Sequence, residues 1–311
     1  MAKAETLARA SLPSVRGEEA LSRVVFTIAL GAPRYGEMAL GLARSLALVG
    51  DTTPRGLITD MDDPRFGRWF QQIARPPTGI PTYLQKLQAL QVLDAESALF
   101  IDADSLAFGR LDPIWETCSG SPVAVQGYRQ SKGHWYGHLE EVLPGLGLEW
   151  LPRFNGGLIY YERSDEFEKV RMEAARVAAS YLETGLELFR GQVPDEPCLS
   201  IAMARTEIGT LLPDELDFMN TPVGLVGRLR LDVMKNECLF LKRGRRMRLI
   251  RPIVFHAAKY VNNTAYWRQL AILEWLDRYE QAHPYGYMSP THKLRRSVER
   301  RLLKWLFRKP L

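Results

Sequence analysis

Short apolar runs rich in β-branched residues alternate with segments of helical spacing along the first hundred residues. Arg23 to Leu30 (RVVFTIAL) reads as a buried strand, and Arg55 to Thr59 as a second, ending at Asp60. Between them, Met38, Leu42 and Leu46 fall four apart, which predicts a helix over Glu37 to Val49 with Gly50 as its C-cap glycine. Leu84, Leu87 and Leu90 predict another helix over Thr82 to Leu93. A third strand, Ala98 to Ile101, runs straight into Asp102-Ala103-Asp104. Such alternation predicts a largely parallel α/β sheet, whose ligands gather beyond the carboxyl ends of the strands.

The second half is more mixed. Val123 to Gln126 and Gly157 to Tyr161 read as strands, with an ordinary loop before the latter. Asp165 to Leu182 reads as a helix opened by a capping box of Asp165 and Glu168. Cys198 to Arg205 is a short helix, Phe240 to Val254 a hairpin turning at Arg243-Gly244, and Tyr266 to Tyr279 a helix. No internal repeat or low-complexity segment interrupts the chain. The expected organisation is a leader (1–22), one folded domain (23–285) and a C-terminal tail (286–311).

Charge sharpens that division. Of 41 basic and 36 acidic residues, the stretch 291–311 holds eight basic residues and only Glu299 as an acid. The body is then close to balance, with 33 basic against 35 acidic residues, which argues against a nucleic-acid-binding body. No run of ~18 apolar residues occurs, so no membrane-spanning helix is expected. The N-terminus lacks an apolar core followed by a small-residue cleavage site, so no secretory signal is expected either. The three cysteines, Cys118, Cys198 and Cys238, are scattered and odd in number, which fits a reducing cytoplasm better than a disulfide framework. In the tail, Leu294, Val298, Leu302, Trp305 and Leu306 recur at helical spacing among arginines and lysines. That pattern predicts an amphipathic helix for an anionic membrane surface, or a tail docked on protein.

Asp102 and Asp104 are the sharpest chemical signal. In extended backbone, residues i and i+2 point the same way, so two carboxylates face one point past a buried strand. Such a pair calls for a compensating cation, and Mg²⁺ or Mn²⁺ prefers carboxylate oxygen. Asp60-Met61-Asp62 has the same spacing, so context separates the two: Asp102 follows a wholly apolar strand. The plainer reading is that both aspartates cap turns.

The strand-ending Asp102-Ala103-Asp104 is followed in order by Phe154-Asn155-Gly156-Gly157, Asp195-Glu196-Pro197 and Phe255-His256-Ala257-Ala258-Lys259. This order resembles the nucleotide-sugar glycosyltransferases of the GT-A fold, particularly the retaining enzymes of glycosyltransferase family 8 and relatives. The resemblance implies a Rossmann-like fold with a mixed, mostly parallel sheet flanked by helices. It implies a metal held by Asp102, Asp104 and His256, with Mn²⁺ favoured over Mg²⁺ by the imidazole. It places Asn155, Asp195 and Glu196 at the donor sugar and reacting centre, although many relatives carry an amide where Glu196 stands. For the nucleotide it implies Thr27, Ala29, Leu30, Tyr35 and Asp60 near the base and ribose, Asp102 and Ala103 at the metal strand, and Gly156 and Gly157 where backbone approaches the sugar. Lys259, closer to the histidine than in relatives, is a candidate for the diphosphate, and Lys86, on the helix before the metal strand, is a second candidate for donor contact. The activity expected is sugar transfer from a nucleotide-diphosphate donor, UDP foremost, to a glycan or lipid-linked acceptor. A sugar-nucleotide nucleotidyltransferase and a non-catalytic membrane-peripheral binding protein are the alternatives.

Overall fold

The computed structural model describes residues 21–244 and 247–282. The chain divides between Leu273 and Glu274, within its last described helix, into two compact units. Its elements begin with β1 (Leu21–Ala29), α1 (Pro33–Leu48), β2 (Arg55–Thr59), α2 (Phe66–Trp69) and β3 (Gln72–Ala74). After a 3-10 segment at Thr82–Gln88 come α3 (Ala89–Val92), β4 (Ala95–Ile101), β5 (Ser105–Ala107) and α4 (Asp112–Cys118). Then follow β6 (Val123–Gln130), α5 (Leu139–Leu146), β7 (Leu151–Glu162), α6 (Asp165–Ala179), α7 (Asp195–Thr206) and β8 (Thr210–Pro213). The last elements are β9 (Met219–Asn220), β10 (Leu225–Asp232), β11 (Glu237–Arg243), β12 (Met247–Ile250), β13 (Val254–His256) and α8 (Thr264–Ala282).

Seven strands form the central sheet in the order β3-β2-β1-β4-β7-β6-β8. Only β7 runs against the rest, so the sheet is mixed and mostly parallel, as expected. Period-two alternation gives it two cores. Val24, Phe26, Ala98, Phe100, Ile159 and Tyr161 face one layer of helices, with Phe167, Val170 and Leu199. Val25, Leu99, Ile101, Leu158 and Tyr160 face the other, with Leu42, Leu46 and Trp115. Two three-stranded sheets complete the fold, β5-β13-β9 and β10-β11-β12. The first of these matters for the site, because β13 pairs His256 directly with Ser105.

Several local expectations change. Helix α1 starts at Pro33, where proline's missing N–H costs nothing, so Tyr35 lies in its first turn. β1 already contains Leu21 and Ser22, so a leader reaching residue 22 is too long. Thr82–Gln88 is 3-10 rather than α-helical, and a leucine spacing of three is the period of that tighter helix. Asp165 does not cap α6: the Ser164 hydroxyl accepts the Phe167 N–H, and Glu168 pairs with Arg171. The strand expected from Gly157 begins at Leu151, so Asn155 and Gly156 are inside β7 rather than in a preceding loop. The hairpin is present, with Arg243 opposite Met247. The basic tail at 286–311 lies outside the described residues, as does most of the leader.

Candidate active site

Chain reversal at the end of β4 creates the site. The Asp102 N–H donates to the Gly157 carbonyl on β7, and the Ala257 N–H beyond β13 donates to the Asp104 carbonyl. Two backbone bonds thus fix the aspartates between the strand carrying Asn155 and the strand carrying His256. His256 Nε2 lies 3.4 Å from Asp102 Oδ2 and 3.1 Å from Asp104 Oδ1. One ligand atom from each of the three residues falls within 4.8 Å of the others. Asn155 Oδ1 stands 3.1 Å from the other ring nitrogen, Nδ1, and also accepts the Gly157 N–H.

The electrostatics of this trio call for a cation. Burial alone would lower the His256 pKa, but Asp104 and then Asp102 outweigh it and push it up to about 9. Without a metal the imidazolium offsets the two carboxylates, and a divalent cation bound there would displace its Nε2 proton. Asp102 itself is held above the usual carboxylate range by burial, which outweighs Lys86 and His256. Two carboxylate oxygens and an imidazole nitrogen are a donor set that suits Mn²⁺ or Mg²⁺.

Beside the trio lies a carboxylate–lysine cluster. Lys86 is only 6% exposed. Its ammonium donates to the Gly156 carbonyl at 2.9 Å, sits 2.8 Å from Asp195 Oδ2 and rests over the Phe100 ring. Burial works against this charge, yet Asp195, Asp102 and Glu196 together hold its pKa above that of an ordinary lysine. Asp195 is the first residue of α7, whose N-terminus has no side-chain cap hydrogen bond. Glu196 is tied at both oxygens: the Gly156 N–H donates to Oε1 at 2.7 Å and the Tyr136 hydroxyl to Oε2 at 2.9 Å. Burial and then Asp195 raise its pKa to about 7, against the pull of Gly156, Lys86 and Tyr136.

Two glycines make this crowding feasible. A Cβ on Gly156 would stand 2.6 Å from Asp195 Oδ2, and one on Gly157 would stand 2.5 Å from His256 Nδ1. His256 is buried and braced by three neighbours, so it has little room to yield. Gly157→Ala is therefore expected to lower the melting temperature and, by displacing His256, to weaken Mn²⁺ binding by about tenfold or more, measured by calorimetric titration below the variant's melting point.

The remaining expected residues are dispersed. Thr27 is 1% exposed and Ala29 is buried, both within β1, while Leu30 and Tyr35 are half-buried and keep some side-chain surface. Asp60 is exposed, and both its oxygens accept the Gly31 N–H, which closes the loop after β1. Ala103 lies buried between the two aspartates. Lys259 is exposed on the turn after β13, past Ala258, whose φ is +48°. It has no ion pair among the described residues. Tyr136 was not foreseen. It holds a left-handed backbone, φ +56°, and reaches Glu196 from 60 positions away. Its only local hint is the aromatic pair Trp135-Tyr136 before a glycine.

Asn155 and Glu196 also line a cavity of about 670 Å³. Its far walls are Arg153 and Tyr128 from the central sheet, and Lys242, Arg248 and Ile250 from the β10-β11-β12 sheet. The metal trio and the cavity thus share Asn155 as their common wall.

No protein-family profile matches the chain, and no curated protein matches it in sequence. Solved structures do. The galactosyltransferase LgtC, in complex with donor and acceptor sugar analogues, aligns over 81% of this chain and 95% of its own, at 15% identity and a TM-score of 0.52. An active-site mutant of LgtC aligns over the same shares, at 15% identity and a TM-score of 0.51. The fold is the GT-A arrangement of nucleotide-sugar glycosyltransferases.

Proposed function

We propose that this protein is a metal-dependent, retaining glycosyltransferase that takes a sugar from a nucleotide-diphosphate donor, UDP foremost, and places it on a glycan or lipid-linked acceptor. The observation that carries the reading is the convergence of Asp102, Asp104 and His256 on one point, with Asn155 joining them to a cavity of substrate size. LgtC was crystallised with donor and acceptor analogues, and a cleft for both is the use proposed here.

In this reading Asp102, Asp104 and His256 hold Mn²⁺ or Mg²⁺. A cation held there would supply positive charge against the diphosphate leaving group. The chain's own groups do the rest. Asn155 braces His256 and presents its amide to the donor sugar. Asp195 and Glu196 face the sugar from the start of α7, where a carboxylate can hold donor hydroxyls or stabilise an oxocarbenium-like centre. Lys86 keeps Asp195 ionised and aimed. Lys259, with Leu30, Tyr35 and Asp60, is assigned to the nucleotide. Retention follows from the family resemblance. The basic tail is assigned to the cytoplasmic face of a membrane. Among the described residues no helix is long and apolar enough to cross one.

A screen of nucleotide sugars for slow, Mn²⁺-dependent donor hydrolysis tests the reading. Release of nucleoside diphosphate supports it, whereas pyrophosphate-dependent release of nucleoside triphosphate overturns it in favour of nucleotidyl transfer. The pH profile gives a further check. If ionised Glu196 serves the reaction, turnover rises as pH passes about 7. The Tyr136 hydrogen bond favours the ionised form, so Tyr136→Phe should move that midpoint upward, read from initial rates against pH.

A further inference from the structure

The near-balanced charge of the body conceals a strongly basic sheet. Residues 225–251 carry nine basic residues and two acids, Asp232 and Glu237. Both acids are already paired within the sheet, to Lys235 and Arg230. Arg228, Arg243 and Arg251 are exposed and have no ion pair among the described residues. Residues this basic within a body that is otherwise acidic on balance mark a surface for something anionic.

The register of β10, β11 and β12 separates its two faces. Val226 pairs with Leu241, and Leu241 with Leu249, so the three form one row across the strands. Leu239 joins them from β11, and Met247 lies opposite Arg243 at the hairpin end. The alternate positions Cys238, Phe240 and Ile250 are buried, and Lys242 and Arg248 line the cavity. The outward face thus sets an apolar row beside Arg230 and Arg243, with Arg251 exposed past the end of β12. Met247 is 56% and Leu249 55% exposed, among the most exposed large apolar side chains described. β12 is also an edge strand of its sheet.

We propose that this outward face docks on an anionic lipid surface, with Met247 and Leu249 entering the headgroup layer and the arginines meeting lipid phosphates. A purely hydrophilic polyanion would satisfy the arginines but leave the apolar row in water. The chain's own tail is a poor occupant, because eight of its last 21 residues are basic and one is acidic, and like charges repel. A second copy would set one basic face against another. The opposite face of the same sheet walls the cavity, so docking brings the cavity to the membrane and deepens the lipid-linked acceptor reading. The docking itself does not depend on sugar transfer.

Labelling decides the matter. Cys118, Cys198 and Cys238 are all buried, so a thiol-directed probe selects an introduced surface cysteine. The full chain with Met247→Cys carries an environment-sensitive fluorophore, and Leu182→Cys, at 75% exposure on the turn after α6, serves as the reference. Vesicles containing phosphatidylglycerol should blue-shift the label at 247 and leave that at 182 unchanged, whereas pure phosphatidylcholine vesicles should shift neither. The double variant Met247→Asp/Leu249→Asp should bind the anionic vesicles about tenfold more weakly, with its melting temperature held. Vesicle binding without a shift at 247 would assign attachment to the tail alone and overturn the proposal. Absence of binding would overturn it as well. A shift at 247 in a protein that hydrolyses no nucleotide sugar would sustain the docking face and sink only the transferase reading.

Discussion

Asp195→Asn is expected to lower sugar transfer by roughly a hundred- to a thousandfold while changing donor affinity little. The substitution keeps the side chain's shape at the first position of α7 but leaves buried Lys86 with only Asp102 and Glu196 as counter-charges, so turnover is compared at a temperature where the melting curve shows the variant folded. The Asp195 charge lies against Lys86 at 2.8 Å, in a pocket both side chains fill almost without exposure. If the carboxylate serves the reacting centre, its value is realised only as positive charge develops on the sugar. Turnover measured beside the donor Kd separates the roles. Unchanged turnover would leave Asp195 as no more than a partner for a buried lysine.

Lys86→Met is expected to destabilise the fold by about 3–5 kcal/mol, because it strands a buried carboxylate without its counter-charge. The lysine is shared: Asp195 is nearest, Asp102 and Glu196 also feel it, and the Gly156 carbonyl accepts its hydrogen bond. Methionine keeps the aliphatic stem over Phe100 and removes all of that. The double variant Lys86→Met/Asp195→Asn should recover part of the loss, since it removes both members of the pair. Urea melts of the two variants and the wild type test this. A single-variant loss below about 1 kcal/mol would show that water reaches the pair and screens it.

The sequence and the structure agree where local pattern determines the outcome and part where distant segments meet. β1, β2 and β4 are legible because buried parallel strands are unbroken apolar runs. Asp102 and Asp104 stand out because they end an apolar strand, and His256 came from the resemblance; a turn at Ala103-Asp104, not the extended backbone expected, brings the three together. Asn155 looked like a loop residue because Asn155-Gly156-Gly157 carries turn composition. Those glycines instead leave room inside a strand for Asp195 and His256. Lys86 stood out only as a candidate for the donor, since nothing nearby in sequence reveals that Asp195 will bury beside it. Tyr136 is invisible for the same reason. The basic sheet escaped because its charges cancel in the total, and because its apolar and basic positions alternate strand by strand.

The central claim is that Asp102, Asp104 and His256 form a cation site that serves the donor. Calorimetric titration of Mn²⁺ in the presence of UDP tests it most directly, with wild type, Asp102→Ala and Asp104→Ala compared at equal melting temperature. One Mn²⁺ per wild-type chain, with affinity lost by about tenfold or more in each variant, is the result predicted. Equal Mn²⁺ affinity in either variant and the wild type would contradict it.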